Sequence, residues 1–494
     1  MGEPQVTIMV RLAAEVTIKS PRTRTAFLRR LRRNMGDALR AADIQYRIEP
    51  IWGRIFVRAS SHLALPVLAR VFGISSISYV ERETNADLDT IVADATEHFR
   101  ESVAGRKFAV RARRTGRHSF RSLDIEQQLG AALLPFSAGV DLSRPEVTAY
   151  VEVRDEKAYL FSERIPGAGG LPLGVEGNAI SLLSGGFDSA VSSWLLLKRG
   201  VSLDYVFCNL GGDAYERAVV QVGKSIADDW SYGTRPHLHV IDFAPVLEEL
   251  RAKTRPSYWQ VVLKRLMYRA ACIVAETRNA DAIVTGEAVG QVSSQTLSNL
   301  RAIEAASALP VLRPLIGFDK EEIIDRAKAI GTAALSEQVR EYCAIAPGHP
   351  VTGTTIARVD DEDVKMDPTV LERVVAERRI LDLRALLPAD LAAPYLFIED
   401  VPEGAVIIDT RSKAQYRTWH LKNARHMEEW ELLRDFKRLD RKPTYVLYCS
   451  HGIQTAYLAE RMQRQGYEAY SFRGGVRGVM RYAQEKGLNL SLLR

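Results

Sequence analysis

A chain of 494 residues is too long for one hydrophobic core, and 46% apolar with 26% charged residues is the composition of a water-soluble, multidomain protein. No run of about 18 apolar residues occurs, which argues against a membrane span, and the first residues, MGEPQVTIMVRLAAE, lack a secretory pattern, so a cytoplasmic protein is expected. The net charge of +6 is uneven: residues 1–60 hold 12 Lys/Arg against 5 Asp/Glu, a surplus of 7, so the remainder nearly balances.

In chain order, QVTIMVRL and RIFVRAS alternate like half-buried strands, and RTAFLRRLRRNMGDALRAA between them reads as a basic amphipathic helix. KFAVRARRTG and TAYVEVRDEKAYLFSE have the pattern of strands in a small sheet. Arg164–Asn178, RIPGAGGLPLGVEGN, is a linker or a structured crossing. From Ala179 the pattern becomes a regular alternation. AISLLS, SLDYVFCNL, PHLHVIDF, DAIVTGEA and PVLRPLIG read as strands. DSAVSSWLLLKRG, Tyr258–Thr277, SSQTLSNLRAIEAAS and DKEEIIDRAKAIG read as helices. Such alternation predicts a doubly wound parallel sheet with ligands at the carboxyl ends of its strands. Residues 344–400 form a Pro-, Ala- and Asp-rich connector with a helical pattern near Val370–Leu386. A smaller α/β unit follows, with strands at AVIIDTR, TYVLYCS and EAYSFRG.

The bend SLLSGGFDSAVSSW lies between a buried strand and a helix start, where unpaired N–H groups and the helix dipole favour an anion. Gly185 and Gly186 let the backbone approach a phosphate closely. The lysine of a Walker loop is missing, so the bend suits a phosphate group without the usual γ-phosphate transfer. The SGGxDS string resembles the pyrophosphate loop of the adenine-nucleotide α-hydrolases, the HUP-like PP-loop ATPases. That resemblance implies attachment of AMP to a substrate oxygen with release of pyrophosphate. Asp188 would help hold the Mg²⁺–pyrophosphate, with Mg²⁺ carried chiefly by the nucleotide phosphates. Ser184 and Ser189 would donate to phosphate oxygens.

The strings VLKRLMYRAA and VTGEAVGQVSSQTLSNL, with VTIKS, LRPLIGFDKEEII and EYC, resemble the tRNA 4-thiouridine synthetases (tRNA uracil 4-sulfurtransferases) over the whole chain. The resemblance implies ATP contacts at Leu182, Leu183, Lys264, Gly286 and Gln295. Leu182 and Leu183 could instead be plain core, touching adenine only through backbone groups, and Lys320 is either a further phosphate contact or a surface lysine.

Of four cysteines, none is in a CxxC pair, and Cys208 and Cys272 read as buried hydrophobes. Cys449 ends an apolar strand before a short loop and a helix, where backbone N–H groups favour a thiolate. Its surroundings, with Asp409 and Arg411 in IIDTR, HLKNARHM and FRGGVRG, resemble a rhodanese domain, which implies a persulfide on Cys449. Ser450, His451 and Gln454 stand where many rhodaneses carry arginine, so stabilisation rests on backbone amides and His451. Cys343, in REYCAIAPGHP, is by resemblance the partner that forms a redox-active disulfide with Cys449 during turnover.

The N-terminal half resembles a ferredoxin-like domain followed by a THUMP domain, and GRKFAVRARRTGRHSFR corresponds to the THUMP region. Lys107, Arg111, Arg113, Arg114 and Arg117 would meet RNA phosphates. The expected architecture is therefore an α/β multidomain chain. It comprises a ferredoxin-like domain at 1–60, a THUMP domain at 61–166, a PP-loop domain at 175–345, a connector at 346–400 and a rhodanese domain at 401–494.

The expected function is ATP- and Mg²⁺-dependent thiolation of the uridine at position 8 of tRNA, with sulfur supplied by a cysteine desulfurase. The resemblance also implies sulfur delivery to a thiamine-pathway carrier protein. The alternatives are a sulfur carrier serving thiamine synthesis alone, or a PP-loop RNA-modifying ligase of other specificity. The sequence leaves open whether the protein forms a homodimer.

Overall fold

The structure, a computed structural model, describes residues 6–51, 53–210, 212–337, 339, 350–387, 396–450, 453–463, 465–488 and 490–491. The chain divides into two compact units, Met1–Gly170 and Leu171–Arg494.

In the first unit, strand Val6–Leu12 is buried along most of its length and sits at the centre of an antiparallel sheet. Its order is Ile165–Pro166, Ile74–Tyr79, Val6–Leu12, Arg54–Ala59, Tyr46–Ile51. Helix Pro21–Ala41 starts with proline, whose missing N–H costs nothing there, and turns Phe27, Leu31, Met35 and Leu39 inward at helical spacing. The glycine-rich crossing after Arg164 is structured: Ile165–Pro166 adds the edge strand, pairing with Ile74–Tyr79. The sheet thus draws strands from both sides of the boundary expected at residue 60.

A second sheet runs Arg82–Asn85, Lys157–Phe161, Val147–Arg154, Lys107–Thr115, Gly139–Val140. Helices Leu88–Phe99 and Ser122–Leu133 cover one face, packing Phe99 and Leu129 on Phe108, Val151 and Val153. On the other face, Tyr159 and Phe161 pack on Met9, Phe56 and Val80 of the first sheet. Beside them Glu152 receives Arg11 at 3.2 Å and Arg54 at 2.7 Å, and Arg154 joins the same carboxylate. Burial first, and the neighbouring arginines with it, hold the Arg11 guanidinium at about 10; Glu152 works in the opposite sense.

In the second unit, five parallel strands are ordered Val311–Leu312, Ala282–Val284, Asn178–Leu182, Ser202–Asn209, His237–Asp242. The long helix Trp259–Arg278 buries twelve side chains or backbone positions against one face, among them Val262, Leu266 and Tyr268. Helices Phe187–Lys198, Gly212–Trp230 and Lys320–Ile330 lie together as a separate layer, so the sheet is doubly wound as expected. Within the segment expected as a connector, helices Ile356–Asp363 and Pro368–Ala376 place Val359, Leu371 and Val374 in this same core. Strand Arg379–Asp382 then adds an antiparallel edge to His237–Asp242.

A smaller all-parallel sheet follows, ordered Phe397–Ile398, Ala469–Phe472, Tyr445–Tyr448, Val406–Asp409, Arg425–His426. Ile408, Leu432, Phe436, Leu447, Leu458 and Met462 form its core. Among the described residues no helix is long and apolar enough to cross a membrane.

Candidate active site

Strand Asn178–Leu182 leads through buried Leu183 into the bend Ser184–Gly186, and helix Phe187–Lys198 starts at once. Gly185 has φ +81°, and a Cβ there would lie 3.2 Å from Val219 Cα and 3.0 Å from Val339 Cγ2. Both the conformation and the space require glycine. Gly186 caps the helix without a side chain, leaving the first-turn N–H groups for a ligand. Ser189 Oγ donates to the Gly186 carbonyl at 3.1 Å and accepts from the Ser184 N–H at 3.2 Å. The Ser184 hydroxyl also donates to Ser189 Oγ, at 3.2 Å. The two hydroxyls expected to face phosphate thus hold the shape of the bend, and the Tyr215 hydroxyl donates to the Ser184 carbonyl at 3.1 Å.

Two further segments meet this bend at the carboxyl edge of the sheet. The first is the loop after Ala282–Val284. Gly286 lies so close to the Asp188–Ser189 peptide that a Cβ would come 2.6 Å from Asp188 C and 2.8 Å from Ser189 N. Gln291 donates from Nε2 to Asp188 Oδ2 at 2.9 Å. The second is the start of helix Lys320–Ile330, where the Asp319–Glu322 capping box fixes the first turn. Lys320 Nζ reaches Asp188 Oδ1 at 3.1 Å and lies over the Phe187 ring. Lys320 is therefore part of the site geometry, and one carboxylate joins all three segments.

Lys264, on helix Trp259–Arg278, has its ammonium 2.8 Å from Glu287 Oε1. Glu287 Oε2 accepts from Tyr268 Oη at 2.5 Å, Thr285 Oγ1 at 3.1 Å and Arg313 Nε at 3.0 Å. Burial alone would raise the Glu287 carboxyl; Lys264, Tyr268 and Arg313 together outweigh it and hold the group down at about 2. Gln295 is buried, with its Oε1 lacking a hydrogen-bond partner among the described residues, while its backbone carbonyl accepts from Gly290 N–H at 3.0 Å. Leu182 packs against the domain core, and the Leu183 N–H donates to the Val206 carbonyl at 2.9 Å. Any contact those leucines make through a backbone donor must therefore come from elsewhere than the Leu183 N–H. Glu287, Gln291, Tyr268 and Arg313 were not singled out from the sequence. The only signal was their place in the strings VTGEAVGQ, LMYRAA and LRPLIG.

Cys449 follows strand Tyr445–Tyr448 and is buried, 2% exposed, with its carbonyl accepting from Val476 N–H at 2.8 Å. Its Sγ lies 3.6 Å from Thr455 Oγ1, and that hydroxyl is 2.8 Å from Ser471 Oγ. Thr455 comes from helix Ile453–Gln463, so a chain of hydroxyls leads from the sulfur into the sheet. Asp409 and Arg411 form a buried pair at 2.6 Å, and Arg411 also donates to the Trp419 carbonyl at 2.6 Å. They hold up the sheet edge and do not touch the thiol among the described contacts. Cys343 and His451 lie outside the described residues. Burial pushes the Cys208 thiol well above its ordinary range, as its core placement predicts.

On the first unit, Lys107, Arg111, Arg113 and Arg117 are exposed and Arg114 is half-buried. Arg111 donates to the Leu142 carbonyl, and Arg114 donates to the Gly116 carbonyl at 2.8 Å. A second basic surface, read from the sequence as a basic amphipathic helix but not as an RNA contact, is a groove of about 510 Å³ lined by Arg29, Arg32, Arg33 and Arg40 with Tyr46. Gly36 makes room for the Tyr46 hydroxyl, which accepts from Arg40 at 2.6 Å.

A glycine bend at the carboxyl edge of a parallel sheet, joined to a cysteine at a rhodanese strand end, defines a nucleotide-binding α/β protein equipped to carry sulfur. Family models match in the same order along the chain: ThiI ferredoxin-like domain at 7–78, THUMP domain at 85–163, Thiamine biosynthesis protein (ThiI) at 174–367 and Rhodanese-like domain at 396–481. The chain is 38% identical to a tRNA sulfurtransferase of Desulfurococcus amylolyticus, over 95% of this chain and 97% of that protein. It is 37% identical to a tRNA sulfurtransferase of Yersinia pestis, over 93% and 98% respectively. The crystal structure of a 4-thiouridine synthetase–RNA complex with bound ATP superposes with a TM-score of 0.65 at 29% identity, covering 76% of this chain and 99% of that one. The chain belongs to the tRNA sulfurtransferase family.

Proposed function

We propose that this protein is the ATP-dependent sulfurtransferase that converts a uridine of tRNA, at position 8, to 4-thiouridine. The observation that carries the reading is the convergence of Gly286, Lys320 and Gln291 on Asp188 at the mouth of a helix-capped glycine bend. A nucleotide bound there meets first-turn N–H groups, and Lys320 and Lys264 offset phosphate charge as it is redistributed. Uridine O4 attacks the α-phosphorus, the bond to pyrophosphate breaks, and O4 becomes part of a leaving group.

Mg²⁺ carried in with the nucleotide would supply Lewis-acid polarisation of the phosphates, with Asp188 at the bend to help hold it. Among the described residues no group of three or more acidic, His or Cys side chains could hold a metal ion, and Asp188 is the carboxylate at the bend that would join its coordination. That donor set fits an ion carried by phosphate oxygens.

Sulfur arrives on Cys449 as a persulfide from a cysteine desulfurase. The outer sulfur attacks C4, AMP departs, and the base is joined to Cys449 through a disulfide. The Cys343 thiolate then attacks Cys449 Sγ, freeing 4-thiouridine and leaving a Cys343–Cys449 disulfide for a thiol reductant. The loaded thiol also serves a thiamine-pathway sulfur carrier. The RNA is held by the basic strand Lys107–Thr115 with Arg117, and by the arginine groove of the first helix. The reaction takes place in the cytoplasm.

The test is pyrophosphate release. It should require ATP, Mg²⁺ and tRNA carrying the target uridine, and should disappear in Asp188→Ala. Release at the same rate with tRNA lacking that uridine would contradict the reading.

A further inference from the structure

We propose that Glu287 is a positioning residue: its carboxylate is fixed so that one oxygen presents the Lys264 ammonium to the nucleotide phosphates. The inference rests on the reading of Lys264 as a phosphate contact and says how that contact is aimed.

The two oxygens of Glu287 are used unequally. Oε2 accepts from Tyr268 Oη at 2.5 Å, Arg313 Nε at 3.0 Å and Thr285 Oγ1 at 3.1 Å. Oε1 has one described partner, Lys264 Nζ at 2.8 Å. The carboxylate is thus clamped on one side by three donors from three elements and offers its other side to one lysine. The clamp is itself braced: Arg313 donates to Glu304 at 2.7 Å and to the Tyr268 hydroxyl at 3.3 Å.

Placement links this network to the bend. Glu287 follows Gly286, which abuts the Asp188–Ser189 peptide, so one residue of backbone sets the distance between carboxylate and bend. Lys264 and Tyr268 are four residues apart on helix Trp259–Arg278 and face the same way. Glu287 is 4% exposed, whereas the Lys264 side chain keeps 18%. The lysine is therefore anchored through one N–H to Glu287 while part of its side chain stays open. A lysine stem is flexible, and an ammonium held in place before binding loses less freedom when the nucleotide arrives.

Charge makes the role specific. Lys264 and Arg313 flank Glu287, and Glu304 balances Arg313, so the four side chains sum to zero. Neutralising Glu287 leaves two cations facing each other beside a hydrogen-bonded tyrosine. The Lys264 ammonium is then held by an uncharged, weaker acceptor and is less well aimed.

The experiment uses the full-length protein with ATP, Mg²⁺ and uridine-containing tRNA, following pyrophosphate release. Glu287→Gln should raise the KM for ATP about tenfold or more, in the range seen when an outer partner that orients a binding group is lost. Its kcat at saturating ATP should stay within about threefold, because orientation before binding is what is removed.

An unchanged KM for ATP in a folded Glu287→Gln protein overturns the proposal. So does a loss confined to kcat or to thermal stability. Lys264→Met distinguishes the underlying reading: if it leaves the KM for ATP unchanged, the phosphate contact itself is wrong, whatever Glu287 does. Should Glu287→Gln not fold, Tyr268→Phe removes one clamp while keeping the core volume. It should give a smaller rise in the KM for ATP, and no change in KM overturns the proposal.

Discussion

Two ion pairs of similar length have opposite meanings because their burial differs. Asp188–Lys320 is partly exposed, at 19% and 44% of the side chains, so it contributes about 0–1 kcal/mol to folding. Stability does not explain its placement at the bend; the proposed role of Lys320 at a reacting phosphate would. Lys320→Ala should slow pyrophosphate release about a hundredfold, the usual scale for losing one preorganised donor. The urea midpoint should stay near wild type. Asp409–Arg411 is buried, at 0% and 3%, and removing one partner of such a pair costs about 3–5 kcal/mol. Arg411→Met should therefore unfold the rhodanese domain, visible as a lost high-temperature transition, without changing ATP binding.

Glu287 gives a pH prediction at the same scale. Its carboxyl, ordinarily near 4.5, is held at about 2 in the folded protein. The unfolded chain takes up the proton first as pH falls. The stabilisation is therefore complete above about 4.5 and is lost as pH drops toward 2. Urea midpoints of wild type and Glu287→Gln should be far apart at pH 7 and converge in acid; a gap independent of pH would count against the ionised network. The sequence did not disclose this residue. A glutamate after a glycine looks like surface charge, and only the packing of helix Trp259–Arg278 over the loop buries it.

At the scale of elements, the glycine bend was legible because strand, two glycines, acid and helix follow one another without interruption. The strand at DAIVTGEA is shorter than its apolar pattern, Ala282–Val284, because Gly286 leaves the sheet to lie on the Asp188 peptide. Gly286→Ala places a methyl against backbone that cannot step aside. Displacing the bend by about 1 Å is worth about a hundredfold in rate. Pyrophosphate release should fall by that order while the far-ultraviolet circular dichroism is retained; wild-type rates would mean the bend does not bind the nucleotide. The helical pattern at Val370–Leu386 ran together two elements. Helix Pro368–Ala376 stops, and RILD pairs with His237–Asp242, a long-range partner that local periodicity cannot reveal.

For the whole molecule, the pattern itself showed the change to a doubly wound unit at Ala179 and a second small α/β unit near Glu403, whereas the division of the N-terminal half in two came from the resemblance. The sharing of elements across the expected boundaries was not legible, since edge strands such as Ile165–Pro166 are two residues long. The basic face of the first unit was legible as a charge run and the helix of Arg29, Arg32 and Arg33 as basic and amphipathic, but the groove it makes with Tyr46 needs the long-range pairing of strand Tyr46–Ile51. Reversing Arg111, Arg113 and Arg114 should weaken tRNA binding and lower the slope of log K against log salt by about 0.7–0.9 for each phosphate no longer neutralised. An unchanged slope would place the RNA elsewhere.

The central claim is that a base oxygen is displaced only after nucleotide activation, by sulfur carried on Cys449. The direct measurement is transfer of labelled persulfide sulfur into tRNA. Wild type with ATP should yield labelled 4-thiouridine, while Asp188→Ala, Cys449→Ser and wild type without ATP should each yield none. Labelled product in any of those three would contradict the account.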